Sequence, residues 1–293
     1  MTAPAAGSAA IALSPSNCDP WHVAVRPLTA PVRSGAVKAF GMAIPIAILG
    51  GLIGLGGAEF RLPVLVGPLR YSPRQAVPLN LAVSIITIGA SLVIRSRTLS
   101  FLPVAPYAPA IGALITGAMI AAWTGAALFG RLSDAWLERM ILALLLIIGV
   151  ALIVEGFLLG GAPALLPAST VIWIVAGLVF GVIIGLISSL LGVAGGEVII
   201  PTLMFAYGAD IKTAGTASLL ISLPTVAVGI ARYARLHAYA SRSLAETVVP
   251  MGFGSVIGAV IGGLLVGSVP AAALKFGLGV ILIISAWRTF RRH

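Results

Sequence analysis

Charge is what this chain has least of. Only 9% of its 293 residues are Asp, Glu, Lys or Arg, against about 25% in soluble proteins. Too little charge is present to cover a water-facing surface, so a soluble fold is excluded. Cysteine is scarcer still. Cys18 stands alone, so neither an intrachain disulfide nor a cysteine metal cluster can form. Histidine is limited to His22, His237 and His293, all outside the apolar runs, and no aspartate falls within one. Intramembrane proteolysis needs a Ser–His pair or paired aspartates inside spans, and a metal hydrolase needs ligands. No enzyme, metal or cofactor is therefore expected. The 8 acidic residues are outnumbered by 18 basic ones, leaving a net charge of +10. In a soluble protein that excess would suggest nucleic acid. Here the basic residues lie between apolar runs, which points to the lipid bilayer as partner and to no nucleic acid.

What is present is apolar sequence, at 59%, with 35 glycines and 19 prolines, both of which are tolerated in transmembrane helices. A span needs roughly 20 apolar residues. Runs that qualify are about 35–57, 76–94, 104–129, 140–160, 168–191, 213–231, 245–267 and 271–287. Two shorter apolar stretches, 58–69 and 196–207, begin at glycines. Residues 1–34 are rich in Ala, Pro and Ser, without a basic start followed by an apolar core, and read as a loose tail.

The chain repeats itself. Shifted by 138 residues without a gap, Gly54–Leu99 aligns with Gly192–His237, and ten of 46 positions are identical, including Glu59/Glu197, Pro63/Pro201, Ser84/Ser222, Thr87/Thr225 and Arg97/Arg235. Leu and Ala matches come easily in such a composition; a glutamate match does not, since the chain has only five. The reading is a first repeat over 35–160, a linker over 161–168 and a second repeat over 169–293. Because Lys and Arg gather on the cytoplasmic side, charge decides how the repeats are oriented. Four simple crossings per half give 11 basic residues inside against 7 outside, whereas a hairpin at each glycine-rich stretch gives 14 against 4. The expected fold is an all-α polytopic membrane protein of two inverted repeats. Each is a glycine-broken helical hairpin plus three transmembrane helices, with both termini cytoplasmic.

The first repeat reads GLGGAEFRLPVL from Gly54 to Leu65, and the second GVAGGEVIIPTL from Gly192 to Leu203. Glycine permits a left-handed backbone and proline lacks an N–H, so each stretch frees backbone groups inside the membrane. Transporters use such broken segments to aim the positive start of a half-helix at an anion near the midplane. The bland alternative is close helix packing through small residues; two matched copies favour the binding site. These paired segments ending in Pro-x-Leu, about 140 residues apart in a small charge-poor membrane protein, resemble the TauE/SafE sulfite exporter family (the toluene sulfonate uptake permease group) over about 38–290. The resemblance implies a secondary transporter, in the inner (plasma) membrane, of small sulfur-containing anions such as sulfite, sulfoacetate or another organosulfonate.

Around these motifs stand the candidate site residues. Glu59 and Glu197 follow the glycine turns directly. An acid at membrane depth is a functional hypothesis by default, here proton coupling, with a structural role at the half-helix starts as the equal alternative. Gly56, Gly57, Gly195 and Gly196 offer backbone N–H groups, and Pro63 and Pro201 are read as helix-breaking. Arg61, matched by Ile199, is placed to pair with Glu59, to bind an oxyanion, or to snorkel, in that order. Asn80, Ser84, Thr87 and Ser91 share one helix face, and Ser218, Ser222 and Thr225 repeat it. Singly they read as helix–helix hydrogen bonds; as paired stripes they line a cavity. Gly117, Ala121 and Gly125, like Gly254, Gly258 and Gly262, recur every fourth residue, which suits close packing. Trp136, Trp173 and Trp287 fall near ends of spans as interface anchors. Runner-up functions are a channel, or a carrier of another small solute such as a carboxylate or drug-like metabolite. A homo-oligomer is compatible with either.

Overall fold

The computed structural model describes residues 32–129 and 164–266, with single positions between 133 and 153 and between 268 and 280. Most of the expected spans 140–160 and 271–287, most of the tail, and Trp287 lie outside the described residues. Every described element is helical: α1 (Val32–Ile53), α2 (Ala58–Val66), α3 (Pro73–Thr98), a 3-10 segment (Leu102–Tyr107), α4 (Ala108–Phe129), α5 (Thr170–Leu191), α6 (Gly196–Pro201, running into a π turn Thr202–Ala206), α7 (Ile211–Arg235) and α8 (Ser241–Leu265). Among the described residues, six segments are long and apolar enough to cross a membrane: Gly35–Ile53, Pro73–Thr98, Leu102–Gly125, Thr170–Leu191, Ile211–Arg235 and Ser241–Leu265. The outer face of α5 exposes Val171, Val175, Val179 and Ile183, an apolar strip that suits lipid.

The interfaces obey the 138-residue repeat. Under it α1 corresponds to α5, α3 to α7 and α4 to α8. The two most extensive contacts, α1 with α8 and α4 with α5, are therefore the same contact made twice, and so are α3 with α8 and α4 with α7. Small residues let the backbones touch. A Cβ on Gly254, Gly258 or Gly262 would strike the carbonyls of Phe40, Ile44 or Ile48 on α1. On α5, Gly177, Gly181 and Gly185 meet the carbonyls of Ala110, Leu114 and Ala118 on α4. The four-residue glycine spacing is thus a packing device.

Each glycine-rich stretch turns the chain back on itself. Gly54, Gly56 and Gly57 take φ of 92°, 80° and 72°, and Gly192 and Gly195 take 65° and 81°, values that glycine adopts without strain. The reversal brings Gly57 against Ile46 (3.0 Å from where a Cβ would sit), and the second half repeats it with Gly195 against Ile184 (3.0 Å). The returning legs are short. At 9 residues α2 spans roughly 14 Å, about half of a hydrocarbon core near 30 Å. The prolines do not make these breaks. Pro63 lies inside α2, which continues to Val66, and Pro201 is the last α-helical residue of α6 before the π turn. The glycines end the helices, because they alone adopt the reversed backbone. The prolines act elsewhere: each lacks the N–H that would bond the carbonyl of the glutamate four residues earlier.

Each turn is also held by the opposite half. A Cβ on Gly54 would strike the carbonyl of Gly215 at the start of α7, and one on Gly192 would lie 2.7 Å from the carbonyl of Val77 at the start of α3. Gly215 and Val77 are themselves 138 residues apart.

Candidate functional site

The two hairpin tips meet at the centre of the described bundle. Gly196 abuts Leu55, and Gly56 abuts Ala194 (3.0 Å and 3.6 Å from where a Cβ would be). Immediately beyond the tips stand Glu59 and Glu197, 0% and 2% exposed. Their carboxyl groups act on one another, and the backbone amides of Glu59, Gly195 and Glu197 lie close enough to act on them too, although among the described residues no donor meets any of the four oxygens in good hydrogen-bond geometry. Two carboxylates offer acceptors only, so a hydrogen bond between them requires a proton on one. Each half contributes one acid to this pair.

Arg61 is fully buried, which rules out snorkelling. Its guanidinium donates to the Gly56 carbonyl (2.5 Å) and the Ser84 hydroxyl (3.3 Å). It leaves the Glu59 oxygens without a bond, and its Nε is unpaired. Glu59 still feels the guanidinium through Coulomb attraction. Asn80 ties the hairpins together. Its amide donates to the carbonyls of Ala58 (2.7 Å) and Gly192 (2.8 Å), one in each half, and its Oδ1 is left unpaired. Ser218, its counterpart, presses on Gly196 (3.0 Å from a Cβ there) with a hydroxyl that bonds nothing. The stripes divide in the same way. Ser84, Thr87 and Thr225 bond back to the carbonyls of Asn80, Val83 and Ile221 (2.7, 3.1 and 2.8 Å), a local role. Ser91, Ser218 and Ser222 are buried with free hydroxyls.

Buried polar atoms without partners are rare in folded proteins. Here they gather on the hairpin tips and on the faces of α3 and α7 behind them. A cavity of about 360 Å³ lies apart from this cluster, lined by Phe101, Val104, Ile111, Ile115 and Leu220; its walls offer an oxyanion no donor side chain.

One residue of this interior was not singled out from the sequence. Arg95 belongs to α3, which extends to Thr98 rather than ending near 94, so it is not a loop cation: it is 1% exposed, while Arg97 is exposed. The signal was available, because Arg95 continues the Asn80, Ser84, Thr87, Ser91 stripe by another four residues. Of the tryptophans read as interface anchors, Trp173 stacks on Tyr107 (centroids 5.7 Å apart) and meets Tyr207 edge-on (5.6 Å), and Trp136 is exposed; His237 sits exposed in a turn.

Span-length apolar helices, helices broken in mid-course, and buried charge at the breaks define a polytopic membrane protein of the transporter class. The sequence model of the family described as Sulfite exporter TauE/SafE matches residues 39–289. The chain belongs to that family of membrane transporters, whose name attaches it to the movement of sulfur anions such as sulfite, and it is not an enzyme. No curated protein and no solved structure matches it.

Proposed function

We propose that this protein carries a small sulfur-containing oxyanion (sulfite, sulfoacetate or another organosulfonate) across the inner membrane by alternating access, with protons as the coupling ion. The observation that carries the reading is the Glu59–Glu197 pair, one acid from each repeat, buried together at the hairpin tips. Ionised, the two carboxylates repel an anion. Protonated, they leave the buried cations uncompensated, and an oxyanion gains from Arg61, from the free hydroxyls of Ser218 and Ser222, and from the starts of α2 and α6. Binding of the anion and of protons is then mutually reinforcing, the linkage a coupled carrier needs. With Glu59, Arg61, Arg95 and Glu197 all at 0–2% exposure, the arrangement fits an occluded stage of the cycle.

The opposed orientation of the halves belongs to the same proposal. Removing buried Arg61 and Arg95 from the loop count leaves 13 basic residues inside against 3 outside, which strengthens the charge argument for inverted repeats and cytoplasmic termini. Single cysteines at Ala162 and Ala240, with Cys18 changed to Ser, should label from outside and inside respectively. Labelling from one common side removes the inverted arrangement.

The function is tested in proteoliposomes by counterflow of sulfite, sulfoacetate, taurine and sulfate, with Glu197→Gln alongside. Saturable counterflow of a sulfur oxyanion whose pH dependence disappears in the variant is the expected result. Transport with unchanged pH dependence in Glu197→Gln would falsify the coupling role.

A further inference from the structure

The charged side chains buried in the described bundle are four: Glu59 and Glu197, Arg61 and Arg95. The Glu pair and Arg61 already have roles at the hairpin tips; Arg95 has none. Its NH1 donates to the Thr216 hydroxyl (3.1 Å), and its NH2 to the carbonyls of Gly51 (3.2 Å) and Leu52 (3.0 Å) at the end of α1. Its Nε is buried and unpaired. Every partner is neutral. The helix end offers partial negative charge, which explains how the guanidinium is tolerated. It does not explain why a full charge is there.

The second half shows that pinning this helix end needs no charge. The residue 138 positions on is Tyr233, fully buried, whose hydroxyl donates to the Ser189 carbonyl (2.7 Å); Ser189 is in turn the counterpart of Gly51. A neutral phenol thus pins α5 where Arg95 pins α1. Charge at membrane depth is expensive, so a charge that the packing does not need points to work in the transport cycle.

The sum of the four charges indicates which work. Two cations and two carboxylates balance to zero. Each proton taken up by the acid pair leaves one positive charge uncompensated in a medium of low dielectric, where the imbalance is costly. An anion of matching charge restores neutrality. Arg61 alone could balance a monoanion; the second cation makes room for a second negative charge.

We propose that Arg95 sets the charge of the cargo: together with Arg61 it makes the interior neutral when a dianionic oxyanion, such as sulfite above its second ionisation or sulfate, enters with both carboxyls protonated. The inference rests on the proton-coupled reading of the same site. It makes transport of the dianion electroneutral, driven by a pH gradient and indifferent to membrane potential.

The repeat supplies the variants. Arg95→Tyr places in the first half the residue that the second half uses for the same pinning, Tyr233→Arg moves a cation to the other side, and the double exchange restores the buried total. Uptake of sulfite would be followed in proteoliposomes against proton movement, with the potential clamped by a potassium gradient and valinomycin. Wild type should move about two protons per dianion, as charge balance in a low-dielectric site requires. In Arg95→Tyr the KM for the dianion should rise by about tenfold or more, the scale of a lost charge-assisted interaction, and uptake should become sensitive to potential; the double exchange should recover both. Unchanged KM and unchanged indifference to potential in Arg95→Tyr would reduce Arg95 to a pin. If that variant does not fold, Tyr233→Arg decides alone: tighter dianion binding supports the inference, and unaltered binding overturns it. Saturable wild-type uptake with no accompanying protons overturns the coupling reading and this inference together, whereas intact coupling with an inert Arg95 overturns only the latter.

Discussion

The two halves of this protein perform the same contacts with different chemistry. Both turn on left-handed glycines, both press the turn into the opposite half's long helix, and both set a glutamate at the tip. Where the first half has Arg61, Asn80 and Arg95, the second has Ile199, Ser218 and Tyr233. The backbone architecture is therefore duplicated, while the cations and the amide that bridges the hairpins belong to one half. On the proposed transport cycle, symmetry is kept where a moving part needs two equivalent resting places and given up where a single asymmetric ligand is held.

The largest effect expected from breaking that symmetry is at the turns. Gly54→Ala puts a side chain at φ 92° and drives it into the Gly215 carbonyl. Left-handed strain plus overpacking amounts to roughly 2–5 kcal/mol. Gly192→Ala should cost somewhat less, since its nearest contact is 2.7 Å and its φ 65°. Thermal unfolding in detergent should rank the two in that order. A tolerated Gly54→Ala would mean that the tip does not lodge in the opposite half as described. Next in size is Asn80→Ser, which makes the first half resemble the second and removes two hydrogen bonds to the hairpin carbonyls. At about 1 kcal/mol each the loss is roughly 2 kcal/mol, and should appear as a lowered midpoint. The reverse change, Ser218→Asn, should also destabilise, because Ser218 already lies 3.0 Å from the Cβ position of Gly196.

Much of this was legible in the residues, for physical reasons. Glycine pairs with glutamate behind them stand out in an apolar chain because a duplication preserves what the backbone requires, and the hydroxyl stripes follow from helical spacing. The returning legs were legible as short apolar stretches, though not how few helical residues each holds. Arg95 was missed because a hydropathy window ends a span at the first arginine, while the fold carries α3 on past it by giving that arginine the carbonyls at a broken helix end. The role of the prolines was misjudged for a related reason. Proline disturbs a helix through its absent N–H, but it cannot supply the reversed φ that ends α1 and α5. The partition of the hydroxyls into back-bonded and free ones could not be read from spacing, which is the same for both kinds.

The smallest difference between the halves lies at the starts of the paired long helices, and it can be read by pH. Ser72 begins α3 in a capping box with Gln75, whose side chain accepts from the Ser72 amide (3.3 Å). Asp210, its counterpart, caps α7 by accepting from the amides of Lys212 (3.0 Å) and Thr213 (3.1 Å) and from the Thr213 hydroxyl (2.5 Å). Partial desolvation pushes the Asp210 carboxyl up, but the bonds from Thr213 and the Lys212 amide outweigh it and hold the group below the ordinary carboxylate range. A depressed folded value means that the ionised cap stabilises the protein above the unfolded pKa, near 3.9, and that the contribution fades as pH falls through the folded value. Asp210→Ala should therefore lower stability by about 1 kcal/mol near neutrality, less any screening at this largely exposed position, and the gap to wild type should narrow below about pH 4. Ser72→Ala should show a gap of similar size with no such narrowing, because a hydroxyl cap has no proton to gain. Unfolding midpoints of both variants and wild type, measured from neutral pH down to acid, decide it: a gap for Asp210→Ala that stays constant to the lowest pH would place the carboxylate outside the cap.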